Sequence, residues 1–530
     1  MKIWGRIFKS DKKHIINSQN INTGYTLKQS LEYNTTLVKD TLGGSSDIVV
    51  REFSIGERSK IKIAVLYIEG LADKNLINDF ILKSLIQEIR SISIDPDTLN
   101  GKDLFKTLKD LFLQDGQSNN ISDFGDLYNH LLSGDTIILI DGYTRGYVLG
   151  SKKWEDRGVQ EPNSQTVVRG PRDSFTETLG TNTSLLRRRI KDTNLWIETK
   201  QIGRITKTDV AIAYIKGIAN DKIIQEVRER LNKIDIDGIL ESGYIEELIE
   251  DKAYTPFPTI YNTERPDAAA AGLLEGRVAI LVDGTPFVLL VPALFVQFFQ
   301  TPEDYYQRFD ISTMIRVLRY FCFFVALLTP AIYIAITTFH QEMLPTPLLI
   351  SIASQREGVP FTAFFEALLM EIVFEILREA GIRMPRVIGP AISIVGALVI
   401  GEAAVQAGIV SAVMVIVVSL TAISSFVFPS YNLAIAVRIL RFVFMLLSAT
   451  FGLYGISVGL VALVLHLSSL RSFGIPYMSP AAPFNLNDQK DAILRLPLWS
   501  MFTRPHLLSK NNIIRQQRPS KAKPRSSSRQ

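Results

Sequence analysis

The chain has a single cysteine, Cys322, and only five histidines in 530 residues. A lone thiol excludes a disulfide framework, and histidines so few and scattered exclude a Cys/His metal site; no metal or cofactor is expected. The marks of an enzyme are missing too. No nucleophile sits beside a base, no Gly-rich loop could cradle phosphates, and the isolated His466 reads as a hydrogen-bond donor at a membrane edge rather than a catalytic base. A net charge of only +5, with no aromatic residues interleaved among the basic ones, argues against nucleic acid as a partner. The first twenty or so residues lack an apolar run of signal-peptide length. The front half is therefore expected to stay in the cytoplasm.

Charge itself is missing from one long stretch. It is dense and mixed up to Arg316, nearly vanishes from Val317 to Leu470, and returns after Arg471 in a tail ending KAKPRSSSRQ. A chain this long also exceeds the usual size of one core. The expected fold class is an α+β cytoplasmic region of two similar α/β subdomains, followed by an all-α polytopic transmembrane domain of five or six spans. The boundaries read as a variable segment at 1–35, a first subdomain at 36–165, a linker at 166–194, a second subdomain at 195–300, the membrane domain at 301–472, and a basic cytoplasmic tail at 473–530.

The two subdomains rest on an internal repeat. IKIAVLYIEGLADKNLINDFILKSL, from Ile61, matches TDVAIAYIKGIANDKIIQEVRERL, from Thr208, aligning Tyr67 with Tyr214 and Gly70 with Gly217. Each copy reads as a strand, a Gly-containing turn and an amphipathic helix. Farther on, GDTIILIDGYTRGYVLG around Asp141 matches GRVAILVDGTPFVLLVP around Asp283. Both read as hairpins in which Asp-Gly supplies a tight turn, and turn chemistry explains the carboxylates better than ligand binding does. Each copy thus resembles a small mixed sheet covered by helices. Between the copies, Arg169, Gly170 and Pro171 precede a segment in which Ser174 and Glu177 have capping-box spacing, predicting a helix that ends in Arg187, Arg188 and Arg189. That helix is either a solvated linker, its arginines suiting the negative end of the helix dipole, or a docking element for a neighbouring subunit or an acidic partner.

In the membrane half, 317–339 is long enough for one crossing, and Pro330 predicts a kink in it. Residues 387–408 and 410–428 make two more spans, with Pro429 ending the pair. The run 442–470, interrupted by Gly452, Gly455 and Gly459, is either one long tilted helix or a tight pair. The segment 360–381 is awkward: Glu371, Glu375, Arg378 and Glu379 share one arc of its helical wheel, opposite Phe365, Leu369, Ile372, Val373 and Ile376. It lies on the membrane surface, or it crosses and keeps its acidic stripe away from lipid, as the distribution of arginines under the positive-inside rule favours. Glu366 points elsewhere on the wheel, toward a neighbouring helix. Small residues at Gly389, Ser393, Ala397 and Gly401 form a face on which helix backbones can approach, within the chain or between chains. Beside it, Glu402 and Gln406 are one turn apart. They form a hydrogen-bond clamp or part of an ion path, since a carboxylate inside a span is costly.

The strings RGPRDSFTETLGTNTSLLRRRI, LLMEIVFEILREAGIRMPRVIGPAISIVGALVIGEAAVQAGIVSAVMV, VRILRF and HLSSLRSFGIPYMSPAAPF closely resemble the A subunits of GerA-type spore germination receptors. The resemblance implies a multi-pass protein of the inner spore membrane or cell membrane. Its implied partners are a transporter-like B subunit that binds the nutrient and a lipoprotein C subunit. It also implies a homo-oligomeric ring, pentameric in that family, forming a ligand-gated channel that releases monovalent cations at germination. Stage V sporulation protein AF resembles the family through the same motifs and is the alternative. A secondary transporter would suit the interrupted helices and Glu402, but no inverted repeat is visible. On the receptor reading, Glu371, Glu375 and Glu379 are the candidate pore residues, with Glu402 and Gln406 supporting the wall.

Overall fold

The computed structural model describes residues 25–55, 61–79, 118–153, 162, 165, 167–383, 401–486, 488–509 and 512–516. The chain divides into two compact units. One takes Met1–Glu250, Ile260–Pro292 and Trp499–Gln530; the other takes Asp251–Thr259 and Ala293–Leu498.

The first unit contains the repeat, and the repeat is complete to the level of strand order. One copy runs α1 (Leu31–Thr41), β1 (Ile48–Ile55), β2 (Ile61–Ile68), α2 (Lys74–Asp79), β3 (Ser118–Ile121), α3 (Phe124–Leu131), β4 (Thr136–Ile140) and β5 (Gly146–Leu149). The second runs α4 (Leu179–Arg189), β6 (Leu195–Ile202), β7 (Thr208–Ile215), α5 (Asp221–Lys233), α6 (Ser242–Ile249), β8 (Tyr261–Thr263), α7 (Pro266–Leu274), β9 (Val278–Val282) and β10 (Val288–Val291). The sheets are ordered β1-β2-β4-β5-β3 and β6-β7-β9-β10-β8. Register repeats as well: Tyr67 faces Val49 and Ile63 faces Ile140, while Tyr214 faces Trp196 and Val210 faces Val282. The expected sheets were mixed; every pairing described is antiparallel. Strands β4, β5, β9 and β10 are nonetheless buried at every position. In the first copy, Leu66, Ile137 and Leu139 pack with α1 and α3 residues, whereas Val65, Ile138 and Ile140 pack with Ile77 of α2. Helices thus cover both faces, and that is why these strands read as unbroken apolar runs instead of alternating.

The basic segment between the copies belongs to this pattern. Its helix begins at Leu179 with Thr178 as an N-cap that makes no side-chain cap bond, whereas the Ser174/Glu177 spacing predicted a start four residues earlier. Asn182 holds the Thr176 backbone through both its N–H (2.7 Å) and its carbonyl (2.6 Å), and the helix cap comes from a distant residue, Asp283. Helix α4 therefore stands before β6 and β7 as α1 stands before β1 and β2.

The second unit is helical: α8 (Phe309–Thr338), α9 (Thr346–Arg356), α10 (Ala363–Arg383), α11 (Gly401–Gln406), α12 (Ala412–Phe426) and α13 (Tyr431–Ser469). Among the described residues two helices, α8 and α13, are long and apolar enough to cross a membrane, and α12 is a shorter apolar helix. Most of the expected span at 387–408 lies outside the described residues. Helix α13 is not straight. Gly452 has φ 61° and ψ −141°, and a Cβ on Gly455 would lie 2.2 Å from the Leu447 carbonyl oxygen while one on Gly459 would meet the Phe444 ring. Eight residues of straight helix would separate Gly455 from Leu447 by about 12 Å. The run is thus a tight antiparallel pair turning at Gly452, with Gly455 and Gly459 where the two backbones meet.

Candidate functional site

Ala, Leu, Met and Glu dominate the α10 sequence AFFEALLMEIVFEILREAGIR, all good helix formers, and they deliver four carboxylates to one continuous helix. Glu366 is fully buried. It accepts from the Ser411 backbone N–H (3.0 Å) and hydroxyl (2.9 Å) at the N-terminus of α12, and from Arg356 Nε at 3.2 Å. The helix dipole and the guanidinium both favour its charge.

One and two turns on, Glu371 and Glu375 meet arginines of α13. Glu371 is fully buried and takes a 2.5 Å bond from Arg441 Nη1; Glu375 is half-buried and is held by Nε (2.9 Å) and Nη2 of Arg438. Arg441 has a second task. Its Nε donates at 2.8 Å to the Ala326 carbonyl in α8, the oxygen whose helical partner would be the N–H of residue 330. Residue 330 is a proline and has none. One guanidinium thus satisfies the acceptor freed by Pro330 and neutralises a buried carboxylate on another helix. Glu379 pairs with Arg383 on the exposed surface at 2.6 Å.

The orientation of α10 follows. Its carboxylate arc is turned toward Arg438 and Arg441, while Phe365, Leu369, Ile372 and Ile376 are exposed. A charged stripe that could not face lipid is met by cations of the same chain. In the short helix α11, Gln406 Nε2 donates to Glu402 at 3.2 Å and both side chains are exposed; Gly401 is buried, with Val415 3.6 Å from where its Cβ would be. Gly389, Ser393 and Ala397 lie outside the described residues. His466 shares a 2.8 Å hydrogen bond with Thr255.

The arginines of α4 divide. Arg187 is fully buried and bonds Asp47 of the first copy through Nε (2.7 Å) and Nη2 (2.9 Å); Arg189 pairs with Asp173; Arg188 is exposed. Arg169 and Gly170 are exposed, and the Pro171 carbonyl accepts from Arg265 at 2.9 Å.

Arg438 and Arg441, part of the arginine distribution that bears on membrane sidedness, are the partners of the acidic stripe that the sequence did not single out. The signal was present: two arginines three residues apart at the start of an apolar run, and a proline in a neighbouring span that strands a carbonyl four residues before it.

A family model described as Bacillus/Clostridium GerA spore germination protein matches residues 36–507. The chain is 50% identical over 501 residues to spore germination protein KA of Bacillus subtilis (strain 168), covering 94% of this chain and 91% of that protein. It is 45% identical over 500 residues to a protein of the same organism called uncharacterized membrane protein YfkQ, covering 94% of each. Among solved structures, the crystal structure of the N-terminal domain of the A subunit of the Bacillus megaterium spore germinant receptor GerK3 is similar at 44% identity, covering 52% of this chain and 99% of that one with a TM-score of 0.41.

Proposed function

Because the chain belongs to the GerA family of spore germination proteins, we propose that it is the A subunit of a nutrient-responsive germinant receptor and that copies of it form a ring conducting monovalent cations. Its place is then the inner spore membrane, multi-pass, with the repeat unit in the cytoplasm, beside a transporter-like B subunit and a lipoprotein C subunit.

The observation that carries the reading is the pairing of the α10 carboxylates. A helix of 21 residues is about 30 Å long, enough for a bilayer core. With its carboxylates turned to Arg356, Arg438 and Arg441 and its apolar arc outermost, α10 is suited to cross rather than to lie flat. Glu371 and Glu375 are neutralised in this arrangement. Conduction then involves a shift of α10 against α13 that frees Glu375, the less buried of the two, toward a water path continued by Glu379, with Glu402 and Gln406 on its wall. Gly389, Ser393, Ala397 and Gly401 give the close packing face. Arg169, Gly170, Pro171, Arg188 and Arg189 are the proposed docking positions for a neighbour, whereas Arg187 is held within the chain by Asp47. Nutrient capture on the B subunit drives the shift.

Cysteines placed singly at 371, 375 and 379 in a Cys322→Ala background test this on membrane vesicles with a small charged thiol reagent. Labelling at these positions that alters the ionic current is expected; labelling without effect on current would remove α10 from the pore. Glu375→Gln is expected to lower cation conductance or change selectivity while leaving assembly intact.

A further inference from the structure

In the helical unit, Ile435, Ile439 and Phe442 stand at positions i, i+4 and i+7 on one side of α13 and line a cavity of about 290 Å³ whose polar end is Glu375 and Arg438. One turn beyond Glu375 on α10 is Arg378. Its guanidinium lies over the Phe426 ring of α12, 5.3 Å from the centroid, and its Nη1 is buried with no hydrogen-bond partner among the described residues. The two carboxylates nearby each already face another arginine, Glu375 with Arg438 and Glu371, through one oxygen, with Arg441. Three guanidiniums therefore face two carboxylates here, at the end of the unit where α10 finishes and α13 starts. A buried donor with no hydrogen-bond partner, one turn along α10 from the carboxylate that lines the groove, is a surplus positive charge that an anion can answer.

The geometry points to a binding site for an anionic phospholipid, its phosphate on Arg378 and one acyl chain in the groove of Ile435, Ile439 and Phe442. The groove is apolar along its length and ends at the Glu375–Arg438 ion pair, with the surplus guanidinium of Arg378 one turn beyond on α10; an apolar groove with an extra positive charge past one end has the charge pattern of a lipid with a negative headgroup, whereas a soluble anion has no use for the apolar part and a zwitterionic lipid leaves the surplus charge in place. A carboxylate from a second copy would answer the charge without filling the groove. The proposal rests on the reading that this unit is embedded in a bilayer, and it does not depend on conduction.

The full chain, purified in detergent, is offered phosphatidylglycerol, phosphatidylcholine or inorganic phosphate at equal concentration, and retained lipid is counted by native mass spectrometry alongside the melting temperature. Phosphatidylglycerol is expected to be retained and to raise the melting temperature. Arg378→Gln should lower its retention roughly fivefold, the loss set by one guanidinium, with Arg378→Lys recovering part of it. Ile439→Trp, which fills the groove and leaves the charges alone, should lower retention in a chain that folds even if Arg378→Gln does not. Equal retention of both lipids overturns the site as a nonspecific annulus. A response to inorganic phosphate equal to that of the lipid assigns Arg378 to a free anion instead. A change in oligomer mass on Arg378→Gln, with retained lipid unchanged, assigns it to a second copy. Release of the chain from vesicles by alkaline carbonate would defeat the membrane reading itself; retention there without headgroup preference defeats only this site.

Discussion

Arg441 joins three helices through one guanidinium, from α13 to Ala326 of α8 and Glu371 of α10. Arg441→Met would strand the charge of Glu371 and the carbonyl of Ala326 together, a loss of about 3–5 kcal/mol by the usual penalty for breaking a buried pair. Replacing both charges, with Glu371→Leu added, should recover a large part of it, because an apolar pair leaves no buried ion; denaturant unfolding of the full chain in mixed micelles would read the difference. Additive losses in that cycle would deny the coupling. A different kind of residue is Glu246 on α6. Burial, reinforced by the charges of Glu241 and Glu250 and opposed by the Asn262 amide, pushes its carboxyl from an ordinary 4.5 up to about 7. A carboxyl raised in the folded state contributes its stability at low pH and loses it as pH climbs from about 4.5 through about 7. Glu246→Gln should therefore matter little at pH 5 and stabilise the protein by roughly 2 kcal/mol at pH 8, checked by thermal melts at both values.

At the scale of the element, the Asp-Gly hairpins and Gly452 are the informative cases. Asp141 accepts from the Leu31 N–H at 3.0 Å and Asp283 from the Leu179 N–H at 2.9 Å, so each hairpin turn of the repeat caps the first helix of its own copy. Asp141→Ala and Asp283→Ala should each cost about 1 kcal/mol, and the double variant about the sum, since the sites are separate; melting temperatures of the three variants would show whether they add. The turn was legible in the sequence because Asp-Gly is local chemistry, and Gly142 and Gly284 do have positive φ. The caps were not legible. They join residues 110 and 104 positions apart, and the nearer capping-box spacing at Ser174 misled for the same reason. Likewise the glycines of the last apolar run announced close packing without saying whether the run reversed. Gly452 decides it, in a backbone region essentially reserved for glycine, where a Cβ would also lie 2.8 Å from the His340 ring. Gly452→Ala should disrupt the helix pair at a cost of at least 1–3 kcal/mol, visible as loss of a monodisperse peak in size-exclusion chromatography. The helix at α10 was legible from period alone; its orientation was not, because a wheel shows which residues share an arc and not what faces them.

For the whole molecule, the repeat visible as paired strings proves to be a duplication of entire sheets, and the two copies are fastened to each other by a buried ion pair and by contacts nearer the surface. Arg187 reaches Asp47, the Ser46 N–H donates to the Ile197 carbonyl at 3.0 Å, and Gly43 lies so close to Trp196 that a Cβ would stand 2.1 Å from the indole. Asp47→Asn would leave Arg187 as an uncompensated buried cation. It should loosen the copies from one another, with cleavage in the segment joining them appearing earlier in limited proteolysis; an unchanged cleavage pattern would mean the remaining contacts suffice. The division into a charged region and an apolar helical region was legible from the distribution of charge, because bulk composition survives any folding detail, and the α/β character of the first came from its repeated strings.

The path of the chain through its two units has a practical meaning. The polypeptide leaves the first unit after Glu250 and again after Pro292, and it comes back at Ile260 and at Trp499. On its last return, Arg504 Nε donates to the Leu274 carbonyl at 2.8 Å and Leu508 lies against Gly276. Neither unit is a bead at the end of a string; they are stitched together by four threads. A fragment cut after Pro292 would be missing the final stitch, and a single nick at any one thread would leave the other three intact, so a clipped molecule can run as one particle on a column while already divided on a denaturing gel.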